Sequence, residues 1–273
     1  VTYLVASDID GTLLRSDDHV SERTRAAIRA FVELGGTFVY ATGRPARWVM
    51  PVAEKAGHLG LAVCSNGALV LDLATGEEIH RRFLDGADAL VLVRELQARV
   101  PGVTFAVDGP HLIGHDPAYR PRWPMPPGHT VAPIAELLRD PVIKLLVRVE
   151  GADGGELMST MREVLGPAAS VTRSSDEGLV EVMHPEVTKA SALSFVAERV
   201  GVPRERVVAL GDMPNDIEML AWAGVGVAMG NAHPSVVDAA DEQTAHHDED
   251  GVAIVIERLV AGLVGAPSAG PVH

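Results

Sequence analysis

The stretch Tyr3-Leu4-Val5-Ala6-Ser7-Asp8-Ile9-Asp10-Gly11-Thr12 decides the reading of this chain. Tyr3 to Ala6 is a short apolar run of strand character, and it ends on a turn that carries two carboxylates and a glycine. From Ser21 to Leu34 the apolar residues Ile28, Phe31 and Val32 recur at helical spacing until Gly35 and Gly36 stop them, so the segment reads strand, loop, helix. The pattern repeats outward. Thr37 to Tyr40 is a second strand, Arg47 to Ala56 a helix, and Leu61 to Cys64 a third strand. Strands alternating with helices predict an α/β fold with a parallel, doubly wound sheet.

The alternation breaks at Asn66-Gly67 and Thr75-Gly76, which bracket Leu69 to Leu73 as hairpin structure. A different order follows from about Leu84 to Met183. It runs as a helix at Ala87 to Arg99, strands near Val103 to Val107 and His111 to Gly114, and a strand at Val142 to Val149. A helix near Gly155 to Leu165 and strands near Ser170 to Arg173 and Leu179 to Met183 complete it. Five prolines between Pro117 and Gly128 make that part an extended connection, with Arg120, Arg122 and Trp123 read as exposed loop residues. Past His184-Pro185 the first pattern resumes, with a helix at Ser191 to Val200, a strand at Val207 to Leu210, a helix at Asp216 to Ala223 and a strand at Val225 to Met229. The chain therefore divides into a core made of residues 1–83 and 184–273 and an α+β insert of residues 84–183. Pro267 to His273 reads as a frayed end.

Composition narrows the function. With 273 residues, 47% of them hydrophobic, the chain has material for sizeable buried cores. A formal charge of -14 repels phosphate backbones and anionic lipid, which argues against general nucleic-acid or membrane-surface binding; an anionic ligand has to be met by localised cations. A single cysteine, Cys64, rules out an intrachain disulfide framework and reads as a small buried strand residue. A reducing, cytoplasmic setting is expected. Oligomeric state is not readable.

In an open parallel sheet, ligands bind beyond the carboxyl ends of the strands, so the residues that follow each apolar run are informative. The first strand delivers Asp8 and Asp10, the second Thr42, Gly43 and Arg44, and the strand at Val207 to Leu210 delivers Gly211, Asp212, Asn215 and Asp216; Lys189 opens a helix. Carboxylates this close repel one another unless a cation lies among them. With no histidine or cysteine in the set, Mg²⁺ suits it better than zinc. The metal residues are Asp8, Asp10 and Asp212, with a backbone carbonyl among the ligands. Asp216 reads as a residue that orients Lys189 or a metal-bound water. An aspartate can accept a phosphoryl group while a second carboxylate moves protons, which makes Asp8 the nucleophile and Asp10 the general acid and base. Thr42, Gly43 and Lys189 then stabilise the transferring phosphoryl oxygens, and Arg44 and Asn215 contact substrate. His246 and His247 are adjacent, so their rings are expected to diverge as solvated surface.

Asp8-Ile9-Asp10-Gly11-Thr12-Leu13-Leu14, Ala41-Thr42-Gly43-Arg44, Lys189 and Gly211-Asp212-Met213-Pro214-Asn215-Asp216 resemble the four ordered motifs of the haloacid dehalogenase superfamily. The late insert, with Ser65-Asn66-Gly67-Ala68 before it and Glu249-Asp250-Gly251-Val252-Ala253 after it, resembles the Cof-type sugar-phosphate phosphatases. That resemblance implies a Rossmann-like core, a C2-type cap, Mg²⁺ and hydrolysis of small phosphorylated metabolites, sugar phosphates first among them. Ala190 stands where the family usually has glycine, and His246-His247-Asp248 where it usually has Ser-Asn. Asp10 separates the chain from the dehalogenase branch, which lacks an acid two residues after its nucleophile. Two other functions use a phosphoaspartate. A signalling receiver is about half this size and carries it on a later strand; a phosphomutase of the superfamily has its cap inserted before the second motif.

Overall fold

The computed structural model describes residues 2–121, 124–173 and 177–265. Along the chain, β1 (Leu4–Ser7), β2 (Thr37–Ala41), β3 (Leu61–Cys64), β4 (Leu69–Asp72) and β5 (Glu78–Arg81) come first. Then follow β6 (Thr104–Asp108), β7 (Ile113–His115), β8 (Thr130–Val131), β9 (Lys144–Asp153), β10 (Ser170–Thr172) and β11 (Glu177–Met183). The last are β12 (Val207–Gly211), β13 (Val225–Ala228) and β14 (Glu242–Gln243). Among the described residues they make two sheets, ordered β14-β13-β12-β1-β2-β3-β4-β5 and β10-β11-β9-β6-β7-β8.

The first sheet is parallel from β14 through β3 and turns antiparallel at β4 and β5. Its central strands are buried on both faces, and the alternation of side chains sorts them into two cores. Val5, Phe38 and Tyr40 face α1 (Glu22–Glu33), α2 (Met50–Ala56) and the last helix, Gly251–Gly265. Leu4, Ala6, Val39 and Ala41 face the helices Lys189–Arg199 and Ile217–Trp222. α1 starts where the sequence says it should. Ser21 caps it by accepting from the Thr24 amide at 3.0 Å, and Ala27, Ile28 and Phe31 form its buried stripe. Phe31 is fully buried, so truncation to alanine costs roughly 3–5 kcal/mol.

The second sheet uses its two faces differently. Leu145 and Val147 of β9 and Val180 and Val182 of β11 pack under α3 (Gly86–Arg99) and α4 (Gly154–Leu165). Their neighbours Lys144, Leu146, Leu179 and Glu181 point the other way, over the carboxyl end of the first sheet. A small apolar cluster of Ala68, Phe83, Ile143, Met183 and Val187 gathers where the chain passes between the sheets. We take residues 84–183 as the insert and cap.

The differences from the sequence reading have local causes. The helix expected from Arg47 is a 3-10 turn, Ala46–Trp48, followed by α2 with Pro51 in its first turn. Gly251–Gly265 is a helix that periodicity did not announce, because apolar residues occupy most of its faces. The hairpin structure expected over Leu69 to Leu73 is present as β4 between antiparallel β3 and β5, and its first turn is a 3-10 turn from Ser65 to Gly67. A Cβ on Gly67 would lie 2.2 Å from the Thr188 carbonyl oxygen, so this glycine lets the lysine-bearing helix sit against the end of β3. Arg122, Trp123 and the segment from Pro267 lie outside the described residues.

Candidate active site

β1 lies between β12 and β2, the point where the strand order reverses and a crevice opens at the carboxyl end. The chain leaves β1 through a wide turn in which the Leu13 and Leu14 amides reach back to the Asp8 and Ile9 carbonyls at 3.3 and 2.9 Å. Gly11 makes that turn possible. Its φ is +76°, and a Cβ there would lie 2.3 Å from Asp212 Oδ2.

Asp8, Asp212 and Asp216 are buried, and each offers a carboxylate oxygen within 4.8 Å of the others. Lys189, the first residue of its helix behind the Thr188 cap, donates from Nζ to Asp8 Oδ1 and to Asp216 Oδ1, both at 2.6 Å. Burial alone would lower the lysine's pKa, but the charges of Asp216 and Asp8 and their hydrogen bonds carry it above its ordinary value. Asp216 also accepts from the Asp212 and Met213 amides at 3.1 and 3.0 Å, so it holds the lysine and the loop and has little capacity left for a ligand. The sequence reading has Asp216 orienting Lys189 or a metal-bound water, and the structure places it on Lys189. Thr12 donates to Asp212 Oδ1 at 3.0 Å, and Asn231 donates to the Gly11 carbonyl at 2.8 Å.

One ammonium faces three buried carboxylates, and burial, with the neighbouring charges added to it, raises two of them. Burial pushes Asp8 well above the usual carboxylate range, partly opposed by Lys189. Burial and then the Asp216 charge push Asp212 up to about 7. Such a set accepts a hard cation. Its donors are all oxygen, and Asp8 and Asp212 keep oxygens that Lys189 and Thr12 do not use.

Asp10 points differently. Arg44 grips both of its oxygens, Nε to Oδ2 at 2.7 Å and Nη2 to Oδ1 at 2.5 Å, so the Asp10 carboxylate is engaged by a guanidinium. Thr42 is buried, and its Oγ1 accepts from the Arg44 amide at 3.0 Å while its own proton remains to be donated. Asp8, Asp10, Gly43, Arg44 and Asn215 line one cavity of about 560 Å³ beneath the second sheet. The prolines Pro121, Pro124 and Pro126 line it as well, so the loop read as plain exposed connection is part of its wall; Arg120 instead binds backbone carbonyls within the loop.

A chain of polar contacts crosses from cap to core, and sequence reasoning missed it. Lys144 donates to the Gly43 carbonyl at 3.0 Å and pairs with Glu181. Glu181 accepts from Asn66 Nδ2 at 2.6 Å, and Asn66 Oδ1 accepts from Asn215 Nδ2 at 3.0 Å. The ionised carboxylate accepts only, so it sets the direction of both amides. The result leaves Asn215 Oδ1 buried with no hydrogen-bond partner. The available signal was charge inside each apolar strand run, Lys144 beside Arg148 in Val142 to Val149 and Glu181 in Leu179 to Met183. At the rim Arg47 pairs with the buried Asp108 of the cap at 2.9 Å.

His246 and His247 do not diverge. Their ring centroids lie 4.5 Å apart at 31°, and the His247 Nδ1 contacts the Leu14 carbonyl at 2.7 Å, because the 3-10 turn at His247–Glu249 folds against the loop after β1. Cys64 is buried, which raises its thiol to about 12 and removes it as a nucleophile.

The switch-point crevice, the buried carboxylates with their lysine and the lid above them define a capped α/β hydrolase. The chain matches the family of haloacid dehalogenase-like hydrolases over residues 5–256, and it belongs to that family, as one of its phosphatases. It is 32% identical to the 5-amino-6-(5-phospho-D-ribitylamino)uracil phosphatase YitU of Bacillus subtilis, over 92% of this chain and 95% of that one. It is 31% identical to the HMP-PP phosphatase of Escherichia fergusonii, over 85% and 86%. Its fold overlays a haloacid dehalogenase-like hydrolase from Bacteroides thetaiotaomicron with a TM-score of 0.73 at 28% identity, covering 95% of this chain and all of the other. No helix among the described residues is long and apolar enough to cross a membrane.

Proposed function

We propose that this enzyme hydrolyses small phosphate monoesters in two steps through a phosphoaspartate on Asp8, with Asp10 carrying the protons and Mg²⁺ as the metal. The observation that carries the reading is the Asp8 carboxylate held at the crevice by Lys189, with one oxygen bound at 2.6 Å and the other unclaimed by the lysine. In the first step the free Asp8 oxygen forms a bond to phosphorus as the bond to the leaving oxygen breaks, and Asp10 gives that oxygen its proton. In the second, Asp10 takes a proton from water, the water oxygen bonds to phosphorus, and the acyl phosphate bond breaks to return Asp8. Both oxygens of Asp10 are on Arg44 in this arrangement, so proton transfer requires that pair to open. A phosphate dianion entering the cavity is the natural competitor for Arg44. Thr42, the Gly43 amide and Lys189 are the donors for the phosphoryl oxygens, each worth about 3 kcal/mol by comparison with other preorganised oxyanion donors. Asp8, Asp212 and the Asp10 backbone carbonyl are the residues that would hold Mg²⁺. Once bound, the ion neutralises charge on the phosphoryl oxygens.

Phosphate release from a panel of phosphorylated metabolites, with and without Mg²⁺, tests the reading. Release that depends on Mg²⁺ and vanishes in Asp8→Asn is expected. Full activity in Asp8→Asn, or phosphate moved to a second hydroxyl with no inorganic phosphate formed, contradicts it.

A further inference from the structure

The cap wall carries information about the leaving group that the catalytic loops do not. Resting on the phosphatase reading above, we infer that the leaving group is a planar, apolar-faced ring rather than a polyhydroxy sugar, and that Trp48 determines this choice. The argument starts from what the cavity offers. Leu146 and Leu179 descend from the cap strands, Ile113, Tyr119 and Met125 come from the cap edge and its loop, and Trp48 rises from the core. Trp48 is 49% exposed, unusual for so large a residue, and it lies four residues past Arg44, in the 3-10 turn that follows the Thr42-Gly43-Arg44 segment. The Arg47 guanidinium lies 5.2 Å from its ring centroid and is pinned by Asp108, which fixes the indole at the mouth.

The polar groups of the same cavity are largely committed to one another. Asp10 binds Arg44, Asp108 binds Arg47, Lys144 binds Glu181 and the Gly43 carbonyl, and Glu181 also binds Asn66. A sugar brings several hydroxyls, and each one buried without a partner loses about 1–3 kcal/mol. A ring face asks for nothing of that kind and gains from contact with an aromatic side chain. Apart from the free Asp8 oxygen and the Tyr119 hydroxyl, one acceptor is left over, Asn215 Oδ1, buried and without a partner. It suits a single N–H or O–H donor close to the phosphate.

Steady-state kinetics with phosphates of primary alcohols test this. Benzyl phosphate and pyridoxal 5′-phosphate serve as ring substrates, glucose 6-phosphate and ribose 5-phosphate as sugars, and acetyl phosphate reports the shared chemistry. The ring substrates should exceed the sugars by at least tenfold in kcat/KM. The benzyl-to-ribose ratio should fall about tenfold in Trp48→Ala and return in Trp48→Phe. Sugars turning over as well as ring substrates, or a ratio unmoved by Trp48→Ala, overturns the inference and leaves the phosphatase reading intact. Absence of any hydrolysis, acetyl phosphate included, sinks the phosphatase reading instead. Calorimetric binding of pyridoxal 5′-phosphate and glucose 6-phosphate then decides the ring preference on its own: tighter binding of the first supports it, equal binding ends it.

Discussion

The two sheets of this protein spend their polar residues in opposite ways. At the carboxyl end of the first, Asp8, Asp212 and Asp216 crowd around a single ammonium, and the charges do not balance. Across the cavity Lys144, Glu181 and Asp108 each have an opposite charge beside them. The core side is a strained electrostatic arrangement that a cation and a phosphoryl group would complete, whereas the cap side is already satisfied and presents mainly shape and apolar surface. On the proposed reading, chemistry falls to the loops of the first sheet and selection to the cavity wall, Trp48 of the core included, so substitutions should separate them.

The largest expected effect is at the nucleophile. Asp8→Asn should lower kcat more than 10³-fold, because the carboxylate that forms the covalent bond is gone. Loss of only a few-fold in a steady-state assay would remove Asp8 from its role. Gly11→Ala comes next. The added methyl collides with Asp212 at a positive φ, and a displacement of that order at the site should cost about 10²-fold in kcat, with circular dichroism showing a retained fold. On the cap side, Lys144→Ala strips the partner from a buried Glu181 and should destabilise the protein by about 3–5 kcal/mol in denaturant unfolding. A loss below 1 kcal/mol would mean that Glu181 is not held as a buried charge.

The smallest of these effects concerns pH. Asp212 stands near 7 in the folded chain against an ordinary 3.8, so between those values the folded state binds more protons than the unfolded one. Stability of the metal-free protein should therefore fall as pH rises from about 4 to about 7. Mg²⁺ added at pH 8 should recover it, as a rise in melting temperature that Asp212→Asn abolishes. A metal-free melting temperature that climbs through the same window would contradict the placement of Asp212 beside Asp216.

The contrast between the sheets also explains what could be read from sequence. β1, β2 and β12 announce themselves because apolar runs end on polar loops, and α1 because Ser21 and the stripe of Ile28 and Phe31 define its start and face. Residues as distant as Asp8, Lys189 and Asp212 were legible as one group because parallel strands deliver their loops to the same edge. The cap elements were legible too, but not which face of β9 and β11 looks at the core. Period-two alternation gives two faces and says nothing about what lies opposite each, so the contacts of Lys144 and Glu181 were not legible. The Arg44–Asp10 pair was hidden for a similar reason, since nothing in the spacing of the two residues fixes where a long arginine ends. Gly251–Gly265 lacked the one signal that marks a helix, a polar face along its whole length.

The central claim is that Asp8 itself becomes phosphorylated. Acid quenching of the enzyme during turnover of acetyl phosphate with Mg²⁺, followed by peptide mass spectrometry, tests it most directly. One phosphoryl group on Asp8, absent in Asp8→Asn and accumulating when Asp10→Asn slows the second step, is the predicted result. Phosphate release with no labelled Asp8 peptide at any quench time, or a label carried by Asp10, would contradict the account.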